Sequence, residues 1–355
     1  MDINLVLITT TLASFLSTFF TVPLVKSFGV KFNFSDIPDK RKVHKSPMVR
    51  IGGVAIFLGF FIGLFSVFFT GNLENISLEN VSKYGRILLL STTLVFLLGL
   101  FDDLFKLSPK FRLIFQFVVA SFAWFQDLRI NSLDLSIVSQ NLSYIQIPLI
   151  LSYFVTVIWI VALINAFNWM DGLDGLATGL LLIAAISYLI IEYSNGIYYI
   201  SVILSSLIGS ASAFLVYNYN PAKILMGDCG SYFLGFNLAV LSFLSSTDNS
   251  VPLKVNTVFL IMLIPILDMI YVVINRFINK RVLFYPDQTH FHHRLIASGL
   301  NQRQTVKVIW SLSLIFSTVA LVIDKKINPV FISYALVIHF LFNTKIRDFL
   351  KKIFC

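Results

Sequence analysis

Apolar stretches long enough to approach the width of a lipid bilayer recur along the whole 355-residue chain. A helix needs about 20 mostly apolar residues to cross the hydrocarbon core, where its backbone must satisfy its own hydrogen bonds. Eleven such stretches occur, at 3–28, 51–70, 85–101, 111–128, 148–168, 175–193, 197–217, 231–247, 255–275, 306–323 and 329–343. The sequence therefore predicts an all-α, polytopic transmembrane helical bundle of about eleven spans.

The composition agrees with this prediction, since 57% of the residues are hydrophobic and 13% are charged. Soluble domains carry about 25% charged residues. No polar stretch is long enough to fold separately in water, so we expect one membrane-embedded domain over residues 1–355 and no nucleic-acid partner. Residues 129–147 alternate polar and apolar side chains, a pattern that favours a small hairpin.

The basic residues indicate how the bundle is oriented. If the segment after the first span is cytoplasmic, that side carries 21 of the 27 Lys and Arg residues and the opposite side carries 6. Cytoplasmic loops are the ones enriched in Lys and Arg. The N-terminus is therefore predicted outside and the C-terminus in the cytoplasm.

Acidic residues form patterned groups at the predicted cytoplasmic ends of the spans. The groups are Asp102-Asp103-x-x-Lys106, Asn165-x-x-Asn168-x-x-Asp171-Gly-x-Asp174, and Asn218-x-Asn220-Pro221 followed by Gly227-Asp228-x-Gly230. An isolated Asp-Asp pair is also compatible with a solvated helix end, although a carboxylate there meets the negative end of the helix dipole. Clustered carboxylates with amide oxygens favour a hard cation such as Mg²⁺. Mg²⁺ in turn suits a diphosphate substrate, because it neutralises charge on the leaving oxygens.

A fourth group, His290-Phe291-His292-His293-Arg294, lies in the longest basic loop. A zinc site is one interpretation, but no Cys accompanies the histidines, and a plain loop surface is another. We favour an anion-binding cluster whose imidazole and guanidinium groups donate to phosphate oxygens. Lys45 and Arg50, in the basic segment after the first span, are predicted to bind substrate as well.

Three further residues lie near these groups. Asp268 falls inside the ninth span, and a carboxylate near the centre of a span costs about 2.5–3.5 kcal/mol on insertion scales. We therefore expect Asp268 to face the bundle interior and to have a partner. Gly52 and Gly53 open the second span, where either close approach to a ligand or helix packing would require glycine.

In this order and topology, the four motifs resemble those of the polyprenyl-phosphate N-acetylhexosamine-1-phosphate transferases, in the WecA/TagO-like branch of the superfamily that includes MraY. The resemblance runs from Asp36-x-Pro38-Asp39-x-Arg41-Lys42-x-His44 to the histidine loop. It implies transfer of N-acetylhexosamine-1-phosphate, from UDP-GlcNAc or a related UDP-sugar, to a polyprenyl phosphate such as undecaprenyl phosphate. UMP would be released, as the first membrane step of a cell-surface glycan pathway.

The resemblance also implies an active site on the cytoplasmic face of the inner membrane, with Mg²⁺ as cofactor and Mn²⁺ as its substitute. A homodimer is left open. Asp102 and Asp103 become the catalytic pair, and Asp228 becomes the principal metal ligand beside Asn168. Substrate binding falls to Lys106, Asp171, Asp174, Asn218, His290, His292, His293, Arg294, Lys45 and Arg50. One-step and two-step transfer both remain open, and we favour a single displacement in which Asp102 has the direct role.

Two other functions are alternatives to this one. An MraY-type phospho-MurNAc-pentapeptide transferase would carry three consecutive histidines, whereas this chain has His-Phe-His-His after Asp287-Gln288-Thr289. A transporter for an anionic solute would place ionisable groups near the bilayer midplane, where Asp268 is the lone candidate. One departure from the family pattern is Leu225, because many relatives have at that position a Phe that stacks on uracil.

Overall fold

The structure, a computed structural model, describes residues 2–36, 47–69, 78–136, 144–246, 253–280 and 289–342. Thirteen α-helices lie within these ranges: α1 (Ile3–Lys31), α2 (Gly53–Phe69), α3 (Leu78–Phe105), α4 (Pro109–Phe125), α5 (Leu149–Met170), α6 (Leu176–Ser194), α7 (Tyr198–Asn218), α8 (Gly227–Leu241), α9 (Val255–Ile261), α10 (Leu263–Ile278), α11 (Phe291–Ala297), α12 (Gln302–Ile323) and α13 (Val330–Phe342). Five short strands accompany them: β1 (Ser35–Asp36), β2 (Met48–Val49), β3 (Ser132–Asp134), β4 (Ile145–Gln146) and β5 (Leu253–Lys254).

Seven of these segments are long and apolar enough to cross a membrane: α1, Gly85–Phe105 of α3, α5, α6, α7, Gly227–Ser246 and α12. Helices α9 and α10 meet at an angle of 80° and make an eighth candidate if they form one span. The protein is therefore a multi-pass membrane protein built mostly of helices. Each of the eleven predicted stretches overlaps a helix or this bent pair. Eleven spans are not confirmed, because α2 and α4 have only 17 residues each.

The bend between α9 and α10 departs from the single straight span predicted for 255–275. Pro265 is the third residue of α10. Proline has no N–H to donate, and its ring clashes with the carbonyl four residues earlier, here that of Ile261. Proline is tolerated in the first turn of a helix, so a new helix begins beside it in a different direction.

The core of the bundle surrounds α8, since 94% of the span window Gly227–Ser246 is buried. Glycines allow two neighbouring helices to approach its first turn. A Cβ built on Gly53 of α2 would lie 2.2 Å from the Gly230 nitrogen, and one built on Gly99 of α3 would lie 2.4 Å from the Asp228 carbonyl oxygen. The packing interpretation of Gly53 is therefore confirmed.

Two small sheets tie connecting segments together. Strands β1 and β2 pair antiparallel, and β3 pairs antiparallel with β4, which confirms the hairpin predicted within 129–147. Strand β5 adds to β3 in parallel. The residues after β2 dock on the segment before α8, because Gly52 and Gly53 donate backbone hydrogen bonds to the Leu225 and Met226 carbonyls. This docking holds Arg50 beside the first turn of α8.

Candidate active site

Asp103, in the last turn of α3, binds the first turn of α8. The backbone N–H groups of Asp228 and Cys229 donate to its two carboxylate oxygens at 2.8 and 2.9 Å. The first amides of a helix lack partners within the helix and favour a carboxylate. Gly227 adopts φ +78°, and a Cβ there would lie 2.0 Å from the Arg50 carbonyl oxygen, so only glycine fits this turn. Asp103 therefore fixes how Asp228 is presented.

The Asp228 carboxylate is held by side chains from two other parts of the chain. Arg50 Nη2 donates to Oδ2 at 2.8 Å, and Asn168 Nδ2 donates to Oδ1 at 2.6 Å. Arg50 Nε also lies 3.3 Å from Asp103 Oδ1. The Arg50 side chain is 40% exposed, whereas those of Asp103 and Asp228 are 0% and 8% exposed. Arg50 is thus the solvent-exposed member of this group, and the two carboxylates lie buried behind it.

Asp102 faces a different set of partners. Its Oδ2 accepts from Arg112 Nη1 at 2.8 Å and from the Tyr232 hydroxyl at 3.2 Å, and its Oδ1 accepts from the Leu107 backbone N–H. Arg112 lies in the first turn of α4, which begins after Ser108 as N-cap and Pro109. This tight turn brings α4 back onto the end of α3, so the two adjacent aspartates have separate environments.

The junction between α5 and α6 contributes Asp171 and Asp174, and the last residue of α7 is Asn218. Asp174 Oδ2 accepts hydrogen bonds from Asn220 Nδ2 and the Ala222 N–H. Asn218 is buried, accepts from the Gly175 N–H and donates to the Ile224 carbonyl. Both side chains therefore hold the loops around the site. Burial raises the pKa of Asp171 well above its usual value; Arg50 opposes this rise, and the nearby carboxylates add to it.

The histidine loop adjoins this cluster through aromatic contacts. The His290 and His292 rings stack at 5.6 Å between centroids, and the His292 and His293 rings lie 4.3 Å apart. Trp169, which follows Asn168 in α5, meets the His290 ring edge-on at 5.6 Å. The fourth motif is therefore linked to the residue that binds Asp228.

His292 is the most enclosed of the three histidines. It is 1% exposed, and neither ring nitrogen has a hydrogen-bond partner within the described part of the chain. Burial lowers the pKa of its imidazole to about 3, with smaller contributions from His293 and His290. A Cβ on Gly172 would lie 2.5 Å from His292 Nε2, so glycine makes room for the ring. The His292 ring is neutral here and can donate only one hydrogen bond.

The donor set fits the magnesium ion that the sequence predicts. Within the described ranges, no three or more His, Cys, Asp or Glu side chains are grouped as a metal site. Mg²⁺, however, is usually held by one or two carboxylates together with substrate phosphates, and it keeps several waters. Among the residues that the structure describes, the three carboxylates of Asp102, Asp103 and Asp228 contact two guanidinium groups, those of Arg50 and Arg112. This excess of negative charge suits a cation that arrives with a phosphate ligand.

Comparison of the chain with known proteins identifies its family. Residues 86–246 match glycosyl transferase family 4. The probable undecaprenyl-phosphate N-acetylglucosaminyl 1-phosphate transferase of Bacillus subtilis (strain 168) is 33% identical over 314 residues, which cover 88% of this chain and 83% of that protein. The chain belongs to glycosyl transferase family 4.

Other relatives in this family match over similar lengths. The decaprenyl-phosphate N-acetylglucosaminephosphotransferase of Mycobacterium tuberculosis (strain ATCC 25618 / H37Rv) is 29% identical over 82% of this chain and 76% of its own length. The undecaprenyl-phosphate alpha-N-acetylglucosaminyl 1-phosphate transferase of Escherichia coli (strain K12) is 28% identical over 86% of this chain and 81% of its own. The resemblance inferred from the motifs is confirmed.

The remaining predicted residues of this glycosyl transferase lie at the edge of the site or outside the described ranges. Lys106 is exposed at φ +53° in the turn after α3. Arg294 is exposed, with its guanidinium 4.1 Å from the centre of the Tyr271 ring. Lys45 lies outside the residues that the structure describes. The roles given to all these residues stay predictions.

Sequence reasoning missed three residues of the site. Arg112 and Tyr232 bind Asp102, and Trp169 joins His290 to the end of α5. A signal for Arg112 was present, since Ser108-Pro109 is a helix-start pattern that turns the chain back within a few residues of Asp102. No sequence pattern marks Tyr232 or Trp169, because aromatic residues in an apolar helix are ordinarily packing residues.

Proposed function

We propose that this protein transfers GlcNAc-1-phosphate from UDP-GlcNAc to a polyprenyl phosphate, with undecaprenyl phosphate as the preferred acceptor, and releases UMP. The observation that supports this most is the gathering of Asp102, Asp103 and Asp228, with two arginines, at one end of an apolar bundle. The relatives reported above are named as N-acetylglucosaminyl 1-phosphate transferases or phosphotransferases of undecaprenyl or decaprenyl phosphate, which supports the transferred group and the lipid acceptor. An acceptor with its tail in lipid and a water-soluble donor would meet at such an end.

In the proposed reaction, a phosphate oxygen of the lipid attacks the β-phosphorus of the donor. The bond from that phosphorus to the bridging oxygen breaks, and UMP leaves with that oxygen. A phosphate monoester has a second pKa of about 6, so the acceptor is largely a dianion at neutral pH and needs little activation by a base. A single displacement therefore needs charge neutralisation and positioning more than proton transfer.

The residues of the site divide these tasks. Arg50 and Arg112 present partly exposed guanidinium groups that would bind phosphate oxygens in bidentate fashion. Asp102 holds Arg112, and Asp103 holds the backbone that carries Asp228. Asp228, with Asn168 beside it, would hold Mg²⁺ on the diphosphate, or Mn²⁺ in its place. A metal held there would neutralise the negative charge that develops on the leaving oxygen.

We place the site on the cytoplasmic side of the inner membrane, with the N-terminus outside and the C-terminus inside. The distribution of Lys and Arg supports this orientation. In the complete bundle, α2, α4 and α13 would be spans in addition to the eight candidates, which gives eleven. A cysteine-accessibility experiment on intact cells and on inverted vesicles would test the orientation at Lys106 and at Asn195.

The activity test uses detergent-purified protein, polyprenyl phosphate, Mg²⁺ and a panel of UDP-sugars. We expect UMP and a lipid-linked sugar diphosphate with UDP-GlcNAc, and neither product without lipid or after chelation of the metal. The panel includes UDP-MurNAc-pentapeptide, because product from that donor alone would favour the MraY-type reaction. Absence of UMP with every UDP-N-acetylamino sugar would refute the proposed function.

A further inference from the structure

Asp268, predicted to face the interior with a partner, uses both carboxylate oxygens to bind the start of the histidine loop. Its Oδ2 lies 2.7 Å from His290 Nδ1, and its Oδ1 accepts the Phe291 backbone N–H at 2.5 Å. The Asp268 side chain is 1% exposed and that of His290 is 10% exposed. The prediction for Asp268 is thus confirmed, and its partner belongs to the fourth motif.

The contact with Asp268 determines which ring nitrogen of His290 bears the hydrogen that points to the interior of the bundle. An ionised carboxylate only accepts hydrogen bonds, so Nδ1 must be the donor. Nε2 is then the nitrogen left for other partners, and it donates a hydrogen bond when the ring carries a proton on both nitrogens. A donor on the enzyme matches the oxygens of a phosphate group.

The surroundings of His290 also restrict the orientation of its ring. Trp169 meets it edge-on on one side, and His292 stacks on it. The Arg276 guanidinium lies 5.0 Å from the Trp169 ring, so the tryptophan is itself held between two groups. Since Asn168 adjoins Trp169 and binds Asp228, a rigid His290 keeps a fixed position relative to the Asp228 carboxylate.

We propose that Asp268 is a positioning residue for the transfer reaction: it fixes His290 with Nδ1–H toward the interior and presents Nε2 to a phosphate of the sugar nucleotide. Through the Phe291 N–H it also sets the start of α11, which carries His292. This assignment rests on the proposed function for the identity of the phosphate ligand, but not for the state of the His290 ring.

The kinetic test compares Asp268→Asn, Asp268→Glu, His290→Ala and the double variant Asp268→Asn/His290→Ala. Loss of a residue that orients a functional histidine costs about ten- to a hundredfold. We expect a rise of about tenfold or more in KM for UDP-GlcNAc in Asp268→Asn and an unchanged KM for polyprenyl phosphate. Partial recovery is expected in Asp268→Glu, which keeps a carboxylate. In the His290→Ala background, Asp268→Asn should add no further loss.

Glu192→Gln is the matched control, because Glu192 is another buried carboxylate in a helix. It lies near the C-terminal end of α6, whereas the candidate active site adjoins the N-terminal end of that helix. Glu192→Gln should leave both KM values near those of the wild-type protein. Additive losses in the double variant, or a lower turnover with both KM values unchanged, would mean that Asp268 only supports the fold. Asp268→Glu and His290→Ala keep the test decisive if Asp268→Asn does not fold.

A second readout does not depend on activity. In ¹⁵N-histidine NMR of the wild-type protein, His290 should be protonated on Nδ1, and Asp268→Asn should change that state while Glu192→Gln should not. If the wild-type protein releases no UMP, the proposed function fails and this spectrum still tests the Asp268 assignment. A His290 ring protonated on Nε2 alone in the wild-type protein would overturn the inference.

Discussion

The two ends of the bundle both contain buried polar groups, but their charges are balanced differently. At the end described above, Asp102, Asp103 and Asp228 contact two arginines. The other end lies about 21 Å along α8, where Glu192 and Asp324 line a cavity of about 40 Å³. That volume is enough for one or a few water molecules.

At the cavity end, each acid has a lysine in its neighbourhood. Asp324 pairs with Lys254, and Lys326 binds Asn195, which lines the same cavity as Glu192. At the active-site end, three carboxylates have two guanidinium groups within the described ranges. Burial of polar groups therefore does not distinguish a site from a packing cluster, whereas unbalanced charge next to a partly exposed arginine does. Substitutions at both ends can test this distinction.

The largest effect is expected from Asp228→Asn. The amide keeps the shape of the side chain but removes the charge that would hold the metal, so we expect kcat to fall about a thousandfold, which corresponds to about 4 kcal/mol. The measurement is UMP release at saturating Mg²⁺, with the thermal unfolding temperature as a check on folding. Near-normal turnover would remove Asp228 from the metal site.

The control for this substitution comes from the cavity end. Glu192→Gln makes the same change of carboxylate to amide in a buried helix, where the neighbouring charges are balanced. Its turnover should stay within about twofold of the wild-type value, since Glu192 contacts none of the site residues described. A large loss of turnover there would break the comparison between the two ends.

Asp102→Asn should produce the next largest effect, a loss of about a hundredfold in kcat, because Arg112 would lose the charge that holds it. Asp127→Asn is the matched control, because Asp127 pairs with Arg129 at the other end of α4 and is exposed.

A separate experiment distinguishes one-step from two-step transfer. With UDP-sugar and Mg²⁺ but no lipid, the wild-type protein should release no burst of UMP. Stoichiometric UMP with a labelled sugar phosphate trapped on Asp102 would instead establish the two-step route.

Much of this arrangement could be predicted from local sequence. The helices follow from apolar stretches, and the convergence of Asp102, Asp103 and Asp228 follows from alternating topology, because loops after odd-numbered spans share one face. The contacts of Asp102 could not be predicted in this way. They depend on how sharply α4 turns back after Ser108, which is a property of packing between two helices.

The partner of Asp268 shows the same limit. The sequence predicts that a carboxylate inside a span needs a partner, because an unpaired charge there is costly. It does not identify His290, which lies 22 residues away as the N-cap of a separate short helix. The bend at Pro265 redirects α10, and periodicity in a uniformly apolar stretch gives no measure of such an angle. Pairings across elements required the three-dimensional structure.

The pH dependence of stability should be steeper with His292 than without it. The pKa of His292 is lowered to about 3 in the folded protein, against about 6.5 in an unfolded chain. Between pH 7 and 5, the unfolded chain gains a proton that the folded protein does not, which costs about 2 kcal/mol of stability. His292→Asn should therefore lose less stability over this interval. An identical change in unfolding temperature for both proteins would contradict the buried, neutral state of His292.

The smallest effect is expected from Asp324→Asn at the cavity end. Removing one partner of a fully buried ion pair is costly, but the Lys254 side chain is 40% exposed and can turn to solvent. The amide also needs less desolvation than the carboxylate, so we expect a loss of about 1 kcal/mol in stability and no change in turnover. Thermal unfolding in detergent and UMP release on the same preparation measure both quantities. A loss of turnover without a loss of stability would mean that the balanced end also takes part in the reaction, and charge balance would then no longer separate the two ends.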